Sequence, residues 1–149
     1  MPNPWDSLLT GTWVLNQAVS KYPDSRLPKP AKFVMELRLS RGEFSCKTMS
    51  ERDGRLRTIQ WEATIGGMPH VSDEAGIIAV NWQRENRPDQ ALSVQTRYNP
   101  NRDHESSIDD VWTLSADGKR LTSELVYHVP KNAQDKRDIR VTRVFDKQP

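Results

Sequence analysis

From Phe33 onward the chain alternates. Phe33, Met35, Leu37 and Leu39 are apolar, whereas Glu36, Arg38 and Ser40 are polar, the period-two signature of a strand with one face buried and the other wet. Short runs of the same kind recur along most of the sequence. Gly11-Thr12-Trp13-Val14-Leu15 reads as a first strand ending near Asn16, Phe44 to Ser50 and Leu56 to Ile65 as two more, and Met68 to Val71 as a short extended piece. Further strands are predicted over 77–85, 91–98, 107–115, 119–129 and 138–146. Between them lie turn-forming groups: Arg41-Gly42, Arg52-Asp53-Gly54, Gly66-Gly67, Asn86-Arg87-Pro88-Asp89, Asn99-Pro100-Asn101-Arg102, Ala116-Asp117-Gly118 and Lys131-Asn132-Ala133-Gln134, residues that supply positive φ or preset a turn. Gln17 to Pro30 is different. Pro23, Pro28 and Pro30 with Asp24 and Ser25 forbid a long helix or a ladder strand there, which predicts a long loop, a candidate lid. A helical repeat is absent, except for a few residues before Gly11.

This pattern predicts an all-β antiparallel up-and-down meander. Its free edges must be paired or covered, and closure into a β-barrel of about 8–10 strands does so most simply. An even strand number lets the first and last strands pair antiparallel, and reaching ten depends on Met68 to Val71 being a strand.

The length of 149 residues fits one domain, spanning 1–149. With 35% hydrophobic and 28% charged residues the surface must be very polar. The net charge of +2 arises from 22 basic and 20 acidic residues scattered along the chain, not from the clustered basic stripe that binds phosphate backbones, so nucleic acid is not an expected partner. No apolar run has the ~20 residues of a spanning helix, so no membrane partner is expected. The opening Met-Pro-Asn-Pro-Trp-Asp has no basic-then-apolar leader, and Cys46 is the sole cysteine; the expected location is cytoplasmic, the expected assembly a monomer or homodimer.

Gly11-Thr12-Trp13, followed by Leu15-Asn16 and Ser20-Lys21-Tyr22, resembles the start of the bacterial lipocalin-like proteins of the calycin superfamily. The segment from Trp112 through Ala116-Asp117-Gly118 to Thr122 is similar to that family's late hairpin, and Val144-Phe145-Asp146-Lys147 to its closing strand; residues 66–105 carry no resemblance. The resemblance implies a barrel around a cavity, its base closed by Trp13 with an arginine of the last strand packed across the indole. Arg143 lies on the apolar row with Ile139, Val141 and Phe145, which makes it the expected partner of Trp13, in a structural closure worth ~0.5–2 kcal/mol.

Taking the more apolar row of each strand as inward gives an aromatic and aliphatic lining. Its candidate ligand contacts are Met35, Trp61, Trp82, Tyr98, Asp110, Trp112 and Tyr127. An apolar wall with a few placed polar groups is the composition of a small-molecule pocket. Asp110, between Ile108 and Trp112 on that row, is either an interior carboxylate or turned outward by a rim or bulge. His70, His104 and His128 lack metal-ligand spacing, and no cofactor is expected. His70 is the one placed near a cavity mouth, His128 the one on an outer row. Nucleophile-elbow and phosphate-loop motifs are absent.

Three readings follow. The leading one is a carrier or sensor that holds a small, mainly hydrophobic molecule inside the barrel. The second is a small barrel enzyme, an isomerase, cyclase or dehydratase in which Asp110 and Tyr127 transfer a proton. The third is a filled barrel acting through its outer surface, which would show a sizeable exposed apolar patch.

Overall fold

A computed structural model describes residues 4–72, 75–83 and 91–149. A one-turn helix, α1 (Trp5–Leu9), precedes ten strands: β1 (Gly11–Leu15), β2 (Lys32–Ser40), β3 (Glu43–Arg52), β4 (Arg55–Thr64), β5 (His70–Ser72), β6 (Gly76–Trp82), β7 (Leu92–Tyr98), β8 (Ser106–Leu114), β9 (Arg120–His128) and β10 (Ile139–Lys147). Consecutive strands pair antiparallel from β1 to β4 and from β5 to β10, and β1 pairs with β10. The terminal strands therefore join antiparallel, as an even count allows.

Closure stops short at one seam. In the order β4-β3-β2-β1-β10-β9-β8-β7-β6-β5, β4 and β5 are the two ends. The piece expected at Met68 to Val71 forms a strand only over His70–Ser72. Pro69 offers no N–H, and Gly66 takes a φ of 76°, so the chain leaves β4 in a turn that no ladder can continue. At the end of the seam one backbone bond, Gly66 N–H to the Val80 carbonyl at 2.8 Å, ties the turn to β6. Strand β6 ends at Trp82, short of the expected 85; residues 84–90, with the Asn86-Arg87-Pro88-Asp89 connector, lie outside the described residues.

The alternation is observed as burial. In β2, Met35, Leu37 and Leu39 are buried and Glu36, Arg38 and Ser40 exposed. Tight hairpins form where two successive residues take positive φ, at Arg41-Gly42 and Asp53-Gly54, the backbone that matches strand twist. The lower half of the interior is solid. Leu9, Trp13, Phe44, Leu92, Leu121 and Phe145 are at most 1% exposed, and α1 covers that end. Trp5 packs edge-on against Trp82 with centroids 5.5 Å apart.

The base is locked by polar contacts as well. The Trp13 indole N–H donates to the Leu9 carbonyl at 2.8 Å, which satisfies both groups where water is excluded. Lys147 donates to the Leu8 carbonyl at 2.7 Å and stands 5.5 Å from the centre of the Trp13 ring. Gly11 permits this approach: its φ is 149°, and a Cβ there would meet Lys147 Cε at 2.8 Å.

Candidate functional site

The upper half of the interior is hollow. A cavity of about 820 Å³ lies between the strands, within the ~300–1,000 Å³ of small-molecule sites. Its walls are aliphatic, with Met35 and Ile59 on one side and Ile78, Val94, Ile108 and Leu125 on the other. Trp61 and Trp112 also line it, each packed on Phe44, at centroid distances of 5.3 and 5.8 Å. The Trp112 Nε1–H is buried with no hydrogen-bond partner among the described residues.

Asp110 faces inward and is 4% exposed, so the outward alternative is not what the chain adopts. It does not stand alone. Arg143 donates through Nη2 to one carboxylate oxygen at 2.7 Å, the Ser123 hydroxyl donates to the other at 2.5 Å, and Arg143 Nε donates to the same Ser123 oxygen at 3.1 Å. Three strands build this cluster. Register sets Asp110 of β8 opposite Leu125 of β9, and Ser123 of β9 opposite Arg143 of β10, so the serine bridges two side chains two strands apart. The guanidinium also lies between Phe33 and Phe145, 5.4 and 5.5 Å from their ring centres, an arrangement that suits a planar, weakly hydrated cation.

Around the cluster the polar groups are uncharged hydroxyls. Tyr22, Tyr98, Tyr127, Thr48 and Thr96 all line the cavity. Burial holds the Tyr22 and Tyr98 phenols above the usual tyrosine range, and burial pushes the Cys46 thiol up to about 12. These groups stay protonated at neutral pH, and Cys46 is not a nucleophile. Charge returns at the mouth, where Arg52, Asp53, Arg55 and Arg57 of the β3–β4 hairpin stand.

The segment between β1 and β2, expected as a lid, contributes Tyr22 and Leu27 to the lining. It is fastened at two points. Lys21 bridges to Thr142 of β10, and Arg26 pairs with Asp24 at 2.6 Å and reaches Asp135 in the β9–β10 connection at 3.5 Å. The Arg26 guanidinium bonded to Asp24 holds that carboxyl well down, at about 2.

No family model matches the chain, and no curated protein does. Among solved structures, a Schistosoma mansoni fatty acid binding protein in complex with arachidonic acid superposes with a TM-score of 0.60 over 97% of this chain and 98% of that one, at 12% identity. This chain folds as a calycin-like barrel.

Two side chains sit in this calycin-like barrel otherwise than expected. Lys147, not Arg143, covers the Trp13 ring, because Trp13 pairs with Lys147 in the β1–β10 ladder; Arg143 lies four residues higher on the same row and enters the cavity. Trp82 does not line the cavity but belongs to the base with Trp5. Met35, Trp61, Tyr98, Asp110, Trp112 and Tyr127 are brought together at the hollow. Sequence reasoning missed Ser123 and Tyr22: a serine within an apolar row and a tyrosine within a proline-rich loop carry no pattern of their own. His70, expected near the mouth, pairs with the wall residue Ile78 in β5–β6 but is not itself part of the lining. His128 is on the outer face between Asp109, at 2.8 Å, and Asp138, at 3.1 Å. Among the described residues no group of three or more His, Cys, Asp or Glu is set to hold a metal ion, and no helix is long and apolar enough to cross a membrane.

Proposed function

We propose that this chain binds a small, mainly hydrophobic molecule inside the barrel, as a carrier or sensor. The observation that carries the reading is the 820 Å³ cavity itself, walled by aliphatic and indole side chains above a solid base. Each Å² of apolar ligand surface buried there contributes ~25 cal/mol before the costs of association. The structurally similar fatty acid binding protein, in complex with arachidonic acid, supports the binding of a hydrophobic molecule by such a barrel. Met35, Trp61 and Trp112 supply contact area, and Tyr98 and Tyr127 orient the ligand.

Proton transfer by Asp110 has less support. Both of its oxygens already accept bonds from Arg143 and Ser123, so the carboxylate is engaged within the cluster and not held out toward a substrate. Among the described residues the exposed large apolar side chains are Val19 in a loop, Leu56 of β4, Met68 in a turn and Val71 of β5.

Titration with the neutral dye Nile red tests the proposal. Saturable one-to-one binding with a blue shift is expected, and it should be lost when Ile108→Trp fills the hollow. A folded protein with no saturable site for this or another apolar probe would overturn it.

A further inference from the structure

The interior contains a cation, yet it is electrically balanced. Arg143 and Asp110 are in contact at 2.7 Å, their side chains 13% and 6% exposed, and Ser123 closes the triangle by donating to one and accepting from the other. A carboxylate entering this space would leave water for a site whose positive charge is already matched. The pull of Arg143 on it is largely offset by the push of Asp110, so its desolvation cost is poorly repaid. An uncharged acceptor pays a much smaller desolvation cost.

Donors for such an acceptor are present. The Nη1 group of Arg143 has no protein partner among the described residues, nor do the hydroxyls of Tyr98 and Tyr127. We propose that the cavity selects uncharged, hydrogen-bond-accepting hydrophobic molecules, such as esters, ketones, lactones or alcohols, over free carboxylic acids. The inference rests on the interior being a ligand site, and it adds the charge class of the ligand. The arginines of the β3–β4 hairpin stand at the mouth, not beside the pair: Arg55 and Arg57 are exposed, where water and salt screen their charge, and half-buried Arg52 shares the rim with the carboxylate of Asp53.

A matched pair of fluorescent probes tests the selection: 11-(dansylamino)undecanoic acid and its methyl ester, titrated at pH 7.5 into the wild-type chain, Asp110→Asn and Arg143→Gln. The ester should bind the wild type at least tenfold more tightly than the acid. Asp110→Asn, which leaves the guanidinium unbalanced, should erase or invert that preference, and Arg143→Gln should widen it. If the acid binds the wild type as well as the ester does, or if the folded variants leave the ratio unchanged, the inference is overturned while ligand binding stands. An acid whose binding weakens steeply with salt would place it at the mouth arginines and overturn the inference too. If neither probe binds, the ligand site itself is refuted, and the charge selection with it.

Discussion

Truncating Asp110 to alanine should be among the most damaging single changes to this fold. The substitution strips Arg143 of its counter-ion and takes from Ser123 the acceptor for its hydroxyl, at positions with little access to water. Breaking a buried pair from one side costs about 3–5 kcal/mol, against a total stability of about 5–15 kcal/mol for a domain. For a chain of this size each kcal/mol moves the melting temperature by roughly 2–4 °C, so the fall should be about 6–20 °C. The companion variant Asp110→Leu/Arg143→Met removes both charges and keeps apolar volume, and should lie near the wild type or above it. Urea unfolding at constant slope, with scanning calorimetry, measures both. If Asp110→Ala stays within about 1 kcal/mol of the wild type, or the double variant is as unstable as the single one, the pair is not the buried, mutually dependent unit described.

Two more outcomes follow from the base and the outer face. Lys147→Met deletes a charge-assisted bond to Leu8 and the cation over Trp13, and should cost about 1.5–3 kcal/mol in the same unfolding assay without weakening dye binding, since Lys147 is remote from the cavity lining. His128 has its pKa raised, chiefly by its hydrogen bond to Asp109 and also by Asp138. Its contribution to stability is therefore complete below the unfolded value of about 6.5 and is lost as pH rises through the higher folded value. The melting-temperature gap between wild type and His128→Asn should be larger at pH 6 than at pH 9; a gap that is flat or grows with pH contradicts the assignment.

Much of the barrel is legible in its residues because period two determines which face a side chain takes. Phe33, Met35, Leu37 and Leu39 needed nothing more, and the Asp53-Gly54 hairpin is announced by residues that tolerate positive φ. Period two does not determine height. Arg143 and Lys147 share a row, and only the pairing of Trp13 with Lys147 decides which of them meets the indole. Trp82 shares the inward parity of Val80, yet its level places it on Trp5 beneath the hollow. The Asp110–Arg143 contact was hidden for a related reason. Both residues stand on apolar rows, with Asp110 left open to a rim or bulge, but β9 intervenes, and their meeting depends on Ser123 being small enough to let them touch. The seam was invisible because short extended pieces look alike whether or not a neighbour accepts their hydrogen bonds.

That unladdered join between β4 and β5 gives the molecule an expansion gap. A hoop stitched all the way round can change its girth only by rupturing a run of backbone bonds. Here the described residues leave a slit, with Gly66 and Val80 as the pin at one end, and spreading along it would leave every stitched ribbon intact.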